Sequence, residues 1–284
     1  MKPFIRNRPY TGRIQAVILD WAGTAVDFGC FGPVAVFQAA FEHFGLAPTL
    51  EETREPMGIA KRDHVARMLA MPRISRQWQS VWGRLPLEKD IDAIYAKTLE
   101  LMPGTLASHA EPVPGCGDAL SALRDAGIKI GSCTGYTRPM MTELIPRARA
   151  AGFDPDCLVC SDEVPQGRPW PWMCWRNCEN LGVFPPEAVV KAGDTVADIE
   201  EGLNAGCWSV GMVESSSGVG LAPEERAAMP ADRLASLDRA QAEKLLAAGA
   251  HFVIAGMADL PVLCAKINAL LAQGKPPGRG AANV

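Results

Sequence analysis

Four polar residues in this sequence have the chemistry needed to act together on a phosphate group. They are Asp20, Thr134, Arg168 and Asp194. Two carboxylates can share a hard divalent cation such as Mg²⁺, whereas a hydroxyl and a guanidinium group can bind phosphate oxygens. For Asp20 alone, within the short pattern Asp-x-x-Gly-Thr, a strand-capping role in a loop is the more ordinary explanation, because such patterns also match by chance.

Each of the four residues follows a short apolar segment that is typical of a buried strand. These segments are residues 16–19, 128–133, 158–161 and 188–192, and two further strands are predicted at 207–213 and 251–254. Helical segments alternate with the later strands, which favours an α/β fold with a doubly wound, Rossmann-like parallel sheet. Since the carboxyl ends of parallel strands meet at one edge of a sheet, we expect the four side chains to face one small volume.

Residues 30–105 show no strand-like alternation and predict an all-helical insertion after the first strand. The predicted helices are residues 33–46, 49–55, 59–70, 75–84 and 87–102. Pro103-Gly104 is predicted to mark the end of the insertion. We therefore expect an α/β core domain formed by 1–29 and 106–284, and a helical domain formed by 30–105.

The charge and hydropathy of the chain exclude several classes of partner. Its net charge is −4, and it has no basic stripe of the kind that nucleic-acid binding requires. No apolar stretch reaches membrane-spanning length, and no leader-like apolar segment follows the basic N-terminus. We expect a soluble, cytoplasmic protein that binds a small molecule and neither nucleic acid nor a membrane.

The nine cysteines are an odd number scattered through predicted strands and helices, which indicates reduced thiols and no disulfide framework. The spacings Cys157-x-x-Cys160 and Cys174-x-x-x-Cys178 resemble those of zinc ligands. However, side chains three apart on a strand point to opposite faces. We therefore do not expect zinc.

Taken in order, the polar segments resemble the four motifs of the haloacid dehalogenase superfamily. The matching residues are Asp20-Trp-Ala-Gly-Thr24, Ser132-Cys-Thr-Gly135, Arg168 and Gly193-Asp-Thr-Val-Ala-Asp198. The resemblance implies that Asp20 attacks phosphorus to form an aspartyl phosphate, and that the helical insertion is a mobile cap. The implied metal ligands for Mg²⁺ are Asp20, Ala22 and Asp194, and the implied phosphate-binding residues are Thr134, Gly135 and Arg168. Asp198 is interpreted as support for the metal site, or else as an ordinary acid in the first turn of its helix.

One departure from the superfamily pattern narrows the expected activity. Most phosphatases of the superfamily have a second Asp two residues after the nucleophile, and here that position is Ala22. The run Met57-Gly-Ile-Ala-Lys-Arg-Asp-His64 and the run Gly167-Arg-Pro-Trp-Pro-Trp-Met173 resemble the phosphonatase family of this superfamily. That resemblance implies hydrolysis of the carbon–phosphorus bond of phosphonoacetaldehyde to acetaldehyde and phosphate.

The same resemblance gives Lys61 the role of forming a Schiff base with the substrate aldehyde. This role fits the loss of the acid at position 22, because a protonated imine can accept the electrons of a breaking carbon–phosphorus bond. His64 lies three residues later on the same helical face, where it either moves protons to the imine or is a structural histidine. Met57, Cys30 and Tyr136 are interpreted as pocket residues, with ordinary packing as the alternative.

Other functions stay open at this point. A phosphomonoesterase of the same superfamily would share Asp20, Thr134, Arg168 and Asp194 but would have no use for Lys61. A metal-independent dehalogenase would not need the Asp194 and Asp198 pair, and a catalytically inactive binding protein would turn over no phosphonate. The resemblance also implies a homodimer formed through the cap.

Overall fold

The computed structural model describes residues 9–278 and contains a six-stranded parallel sheet. The strands are β1 (Ala16–Leu19), β2 (Lys129–Thr134), β3 (Cys157–Cys160), β4 (Val189–Gly193), β5 (Trp208–Met212) and β6 (Phe252–Ile254). Their order is β3-β2-β1-β4-β5-β6, so the chain reverses its direction of travel across the sheet beside β1. The predicted α/β fold is confirmed. The ends of the predicted core domain, 1–8 and 279–284, lie outside the described residues.

The strand register brings the predicted site residues to one level of the sheet. Leu19, the last residue of β1, is opposite Ser132 of β2 and Ala192 of β4. Asp20 continues this pairing, since its backbone N–H donates to the carbonyl of Ala192 at 3.0 Å. Ligands of open α/β sheets bind in the crevice beside such a reversal of strand order, so β1 and β4 are where a site is expected.

Five helices stand between β1 and the rest of the core. They are α1 (Phe31–His43), α2 (Leu50–Arg54), α3 (Lys61–Ala70), α4 (Pro72–Trp82) and α5 (Glu88–Ala107). Their apolar faces form a separate hydrophobic cluster that includes Phe37, Phe41, Met68 and Trp78. The helical insertion therefore has a hydrophobic core of its own.

Two helices of the structure continue through a proline, and the first of these prolines was expected to end its helix. The prediction that the last helix of the insertion stops before Pro103 is wrong, because α5 runs through Pro103 to Ala107. Met102 and Leu106 on either side of it are buried in the main core cluster, and this packing outweighs the lost backbone hydrogen bond. The helix that contains Pro146 likewise continues unbroken from Arg138 to Ala150.

The remaining helices cover the two faces of the sheet. They are α6 (Cys116–Asp125), α7 (Arg138–Ala150), α8 (Trp172–Leu181), α9 (Val196–Ala205), α10 (Pro223–Ala228), α11 (Ala231–Ala247) and α12 (Leu260–Ala272). Successive residues of β1 alternate between the faces, because side chains on a strand alternate. Val17 and Leu19 pack in a cluster with residues of α6, α7 and α12, whereas Ala16 and Ile18 pack with residues of α8.

Two helices near the C-terminus pack against the rest of the core. No helix was predicted at residues 260–272, yet α12 is formed there and buries Leu263, Ile267 and Leu271. Helix α11 contributes Gln241 and Leu245, which are buried. Within residues 9–278, no helix has the combination of length and apolarity that crossing a bilayer requires.

Candidate active site

The carboxyl ends of the strands and a loop of the helical insertion enclose a small cavity of about 20 Å³. All of the residues singled out from the sequence line this cavity, except His64 and Asp198. The lining candidates are Asp20, Ala22, Cys30, Met57, Lys61, Thr134, Gly135, Tyr136, Arg168 and Asp194. The structure therefore brings together residues that are up to 174 positions apart in the chain.

The turn after Asp20 allows a second carboxylate to approach closely. Gly23 has a φ of +84°, and a Cβ atom at this position would lie 2.8 Å from Oδ2 of Asp194. Any larger residue would be strained by its backbone conformation and would push Asp194 away. The Asp-x-x-Gly pattern thus has a physical reason, which is to place Asp20 and Asp194 side by side.

Arg168 lies at the centre of a buried group of charges. Its Nη2 is 2.6 Å from Oδ1 of Asp20, its Nη1 is 3.0 Å from Oδ1 of Asp198, and its Nε is 2.9 Å from Oε2 of Glu201. Burial alone would lower the pKa of Arg168, but Asp198 and Asp20 outweigh this and hold the pKa well above its usual value. The guanidinium group is therefore charged and fixed beside Asp20.

Sequence analysis missed two members of this group, Lys191 and Glu201. Lys191 is fully buried in the middle of β4, and its Nζ lies 2.6 Å from Oδ1 of Asp198 and 3.6 Å from Oε2 of Glu201. A lysine inside an otherwise apolar strand requires a buried acidic partner, so the position of Lys191 in the sequence could have predicted a buried ion pair. Glu201, three residues after Asp198 on α9, was the natural candidate for its partner.

Both carboxylate oxygens of Asp198 already have protein partners. Oδ1 pairs with Lys191 and Arg168, while Oδ2 accepts hydrogen bonds from the hydroxyl of Thr195 at 2.6 Å and its N–H at 3.2 Å. Burial would raise the pKa of Asp198, but the charges of Arg168 and Lys191 lower it. Asp198 therefore holds the two cations in place and, with Thr195, caps the start of α9.

The carboxylates of the site form a group that suits a divalent cation. Asp20, Asp194 and Asp198 each offer an oxygen within 4.8 Å of the others, and all three are buried. Burial, followed by the charges of Asp198 and Asp20, raises the pKa of Asp194 to about 7. Mg²⁺ prefers oxygen ligands in a group of negative charges, so Asp20 and Asp194 fit the ion, with Asp198 held beside them by Arg168 and Lys191. Among the described residues, this is the one such cluster, and the cysteines considered for zinc form none.

A serine loop that follows β5 orients Asp194. The backbone N–H of Ser217 and its hydroxyl donate to Oδ2 of Asp194, at 2.8 and 2.7 Å. Gln241 of α11 donates to the backbone carbonyl of Asp194 at 2.8 Å. The sequence analysis did not single out these residues, although a loop after a fifth parallel strand must reach the same edge of the sheet.

Lys61 enters the cavity from the helical insertion. It is the first residue of α3, it is 5% exposed, and its Nζ lies 4.7 Å from the ring centroid of Tyr136. Burial lowers the pKa of Lys61. A lysine with a lowered pKa holds a larger fraction of the neutral amine, which is the form that attacks a carbonyl group.

The loop before Lys61 fits against the core through two glycines. At Gly58, which has a φ of +95°, a Cβ atom would lie 2.3 Å from Oγ1 of Thr195. At Gly135, a Cβ atom would lie 2.9 Å from the carbonyl oxygen of Ile59. The close contact between the insertion and the strand ends therefore depends on the absence of side chains at both positions.

His64 is placed behind Lys61, outside the cavity wall. It is fully buried, its ring stacks on Phe37 with centroids 3.8 Å apart, and its Nε2 is 2.9 Å from the carbonyl oxygen of Thr53. Burial and then the charge of Lys61 hold its pKa well below 6.5. His64 is therefore a neutral imidazole on the same helix as Lys61, and it anchors that helix against Phe37 of α1.

The side of the cavity around Ala22 is apolar. Cys30, Val34 and Met57 form a small buried cluster against which Ala22 packs. Burial raises the pKa of the Cys30 thiol well above 9.0, so it is uncharged. The position where most superfamily phosphatases have an acid thus faces sulfur and methyl groups.

Known proteins match most of this chain. Residues 14–206 match the family of haloacid dehalogenase-like hydrolases. A phosphonoacetaldehyde hydrolase from Nitratidesulfovibrio vulgaris is 50% identical over 277 residues, which are 98% of this chain and 99% of that protein. The chain belongs to the phosphonoacetaldehyde hydrolase family. The resemblance of its motifs to this family, and to the wider superfamily, is confirmed.

Two further members of the phosphonoacetaldehyde hydrolase family extend the comparison. A phosphonoacetaldehyde hydrolase from Syntrophobacter fumaroxidans is 49% identical over 277 residues, which are 98% of this chain and 100% of that protein. The crystal structure of a phosphonoacetaldehyde hydrolase-like protein from Oleispira antarctica is 36% identical, with a TM-score of 0.94 over 97% of this chain and 100% of that one. The sheet and the helical insertion are therefore arranged alike in the two structures.

Proposed function

We propose that this protein hydrolyses the carbon–phosphorus bond of phosphonoacetaldehyde, releasing acetaldehyde and phosphate. The observation that carries the proposal is that Lys61 and Asp20 line one cavity, beside an alanine where an ester-cleaving enzyme would need an acid. The names of the close relatives support the same substrate. Residues 30–105 would act as the cap domain that supplies Lys61, and 1–29 with 106–284 as the core domain that supplies Asp20.

In the proposed reaction, the neutral amine of Lys61 adds to the aldehyde and water leaves, which gives a protonated imine. The carboxylate of Asp20 then attacks phosphorus, and the electrons of the carbon–phosphorus bond move into the imine to form an enamine. Protonation and hydrolysis of the enamine release acetaldehyde and free Lys61. Water hydrolyses the aspartyl phosphate, which releases phosphate and restores Asp20.

The residues around these two groups have distinct proposed tasks. Arg168, Thr134 and Gly135 would hold the phosphonate oxygens, since a fixed guanidinium and polar groups stabilise the charge that develops there. Tyr136, Met57 and Cys30 would exclude water from the aldehyde. His64 would support the reaction indirectly, since it packs behind Lys61 and fixes the start of α3 through Phe37 and the carbonyl of Thr53.

Magnesium would be held by Asp20 and Asp194, with Ala22 beside them in the turn after Asp20. Asp198 would keep Arg168 and Lys191 in place next to the ion. When bound, Mg²⁺ would lower the electrostatic cost of bringing a phosphonate dianion to a carboxylate. The residues themselves already prepare this arrangement, because Ser217 and Gly23 orient Asp194 toward Asp20.

The test is direct. Purified protein, loaded with Mg²⁺, is incubated with phosphonoacetaldehyde, and acetaldehyde and phosphate are measured separately. We expect equal amounts of the two products and no acetaldehyde from the Lys61→Arg variant, because a guanidinium group cannot form the imine. Borohydride added with the substrate should leave a reduced adduct on Lys61, which mass spectrometry of a digest locates.

Two outcomes would contradict the proposal. Rapid hydrolysis of common phosphate monoesters without acetaldehyde release from the phosphonate would favour the phosphomonoesterase function instead. A reduced adduct on another lysine, with the Lys61→Arg variant still active, would reject the role of Lys61. It would not contradict phosphonoacetaldehyde as the substrate.

We also propose that the protein is a cytoplasmic homodimer that associates through the helical insertion. Val81, Trp82, Leu85 and Leu87 of this insertion are large apolar residues that are about half exposed or more, which supports an interface on this side of the molecule. Sedimentation equilibrium gives the mass of the assembly, and a monomer at micromolar concentration would reject the dimer.

A further inference from the structure

One arginine of the helical insertion contacts the core next to the proposed metal site. Arg54 is the last residue of α2, and its Nη1 donates a hydrogen bond of 3.1 Å to the backbone carbonyl of Ser217. The guanidinium group also lies over the ring of Phe31, with its Cζ 5.1 Å from the centroid. At Gly220 a Cβ atom would lie 1.1 Å from Nη1, so the guanidinium occupies the space of a side chain there.

The loop that receives Arg54 is the loop that orients the metal-site carboxylate. Ser217 accepts from Arg54 through its carbonyl oxygen, and it donates to Oδ2 of Asp194 through both its N–H and its hydroxyl. Two residues earlier, the hydroxyl of Ser215 donates to the carbonyl of Gly23 at 2.8 Å. This loop therefore fixes both Asp194 and the turn after Asp20. Arg54 is the residue of the helical insertion that donates a hydrogen bond to this loop.

We propose that Arg54 is a positioning residue that couples the seating of the helical insertion to the orientation of Asp194, and thereby to magnesium affinity. When the insertion is seated, Arg54 pins the carbonyl of Ser217, and the donors of that residue stay aimed at Asp194. Because coupling between two sites is reciprocal, magnesium binding should in turn favour the seated insertion. The inference rests on the magnesium site of the proposed function but not on the identity of the substrate.

A second arginine supplies a matched control. Arg54 and Arg67 both line a cavity of about 340 Å³ between the insertion and the core. Arg67 pairs with Glu55, which belongs to the insertion itself, whereas Arg54 reaches across to Ser217. Replacing either arginine removes one positive charge from the same cavity, but only the Arg54 substitution removes a contact to the loop that holds Asp194.

The experiment measures magnesium binding to the metal-free full-length protein by isothermal titration calorimetry, with no substrate present. We expect Arg54→Met to raise the Kd for Mg²⁺ by about tenfold, the size of one lost hydrogen bond to an ordered group. Arg67→Met should change the Kd by less than about twofold, since the Arg67 side chain is largely exposed and its charge is screened by solvent and salt. The melting temperature of Arg54→Met without magnesium should stay close to that of the parent protein.

Two further variants make the result decisive. If Arg54→Met does not fold, Arg54→Lys provides the same test with a smaller loss, because an ammonium group keeps the charge and one donor direction. In a double-mutant cycle with Ser217→Ala, the two substitutions together should weaken magnesium binding by less than the sum of their separate effects.

The inference would be overturned if Arg54→Met bound magnesium as tightly as the parent protein, or if Arg54→Met and Arg67→Met lost equal magnesium affinity. It would also be overturned if the parent protein bound no magnesium. Failure of the proposed function looks different. The parent protein would then release no acetaldehyde from phosphonoacetaldehyde, while the difference in magnesium affinity between the Arg54 and Arg67 variants would persist.

Discussion

Arg168 can hold a phosphonate only if its own position is fixed, and Glu201 is one of the groups that fix it. Glu201→Gln keeps the shape of the side chain but removes a negative charge from a buried group that includes Arg168 and Lys191. Leaving buried cations short of a partner is costly, so we expect a loss of about 3 kcal/mol in the free energy of unfolding. Urea unfolding monitored by circular dichroism measures this loss.

Glu200 is the control for that substitution. It lies on the same helix one residue earlier, but it is exposed. Glu200→Gln should change the unfolding free energy by less than about 0.5 kcal/mol, as is usual for surface positions. Equal effects at the two positions would mean that the buried charges do not depend on Glu201.

The lowered pKa of Lys61 gives the proposed reaction a pH dependence of definite sign. The ammonium form cannot attack an aldehyde, so kcat/KM should rise with pH as Lys61 loses its proton. Because burial lowers the pKa of Lys61 below its ordinary 10.5, this rise should be centred below that value. His64 does not explain such a rise at alkaline pH, since its pKa lies well below 6.5.

The measurement is a pH profile of kcat/KM for acetaldehyde release, paired with the rate at which an amine-selective reagent modifies Lys61. Both should show the same midpoint. A midpoint at 10.5 or above would mean that the buried environment of Lys61 does not favour the neutral amine.

The site residues that could be predicted from the sequence differ from those that could not in how the fold brings them to the site. Asp20, Thr134 and Asp194 lie at strand ends, and the pattern of a parallel sheet is enough to bring such positions together. Glu201 and Ser217 act through partners on other elements. A lysine inside β4 and a loop after β5 indicate that such partners exist, but they do not say which contacts form. Sequence therefore predicts which groups do chemistry better than it predicts which groups hold them.

At the scale of elements, the conformation of the loop from α2 to α3 depends on Gly58, because a side chain at this position would collide with Thr195. Gly58→Ala places a Cβ atom 2.3 Å from Thr195 and keeps a backbone φ of +95° that alanine resists. We expect the loop to shift and carry Lys61 away from Asp20, which lowers kcat/KM by about 100-fold, as small displacements of reacting groups do. Steady-state kinetics of acetaldehyde release tests this.

Gly83 separates the two causes contained in that prediction. It lies at the end of α4 with a φ of +69°, and a Cβ atom there meets nothing within 4 Å. Gly83→Ala should cost about 1 kcal/mol of stability through backbone strain but leave kcat/KM unchanged. If both variants lost the same activity, backbone strain in the insertion, and not the collision with Thr195, would be the cause.

The elements themselves were predictable where local signals and packing agree. The helix predicted at 49–55 is formed as α2, and a capping box of Thr49 and Glu52 begins it, with hydrogen bonds of 2.9 and 3.1 Å between them. The end of α5 was missed because Pro103 is a local stop signal, whereas the burial of Met102 and Leu106 that sustains the helix is a tertiary effect. Helix α12 lacks the contrast of polar and apolar faces, since much of it is apolar.

For the whole molecule, the important fact is that the site lies between two hydrophobic clusters. One cluster stabilises the sheet and its helices, and another stabilises the helical insertion. Asp20 and Asp194 belong to the sheet and its helices, whereas Lys61 belongs to the helical insertion. The affinity of a ligand that binds between these two parts must therefore depend on how they pack together, as well as on the stability of each.

The last prediction concerns magnesium and the stability of the whole fold. Folding brings carboxylate oxygens of Asp20 and Asp194 within 4.8 Å of each other, so a cation held by these two residues binds the folded state and not the unfolded chain. At a concentration one hundred times its Kd, Mg²⁺ should stabilise the protein by about 2.7 kcal/mol. Urea unfolding with magnesium and with chelator gives this difference. Asp194→Asn should remove most of the magnesium effect, because it removes one charged ligand. A magnesium effect of parental size in Asp194→Asn would place the cation at another site.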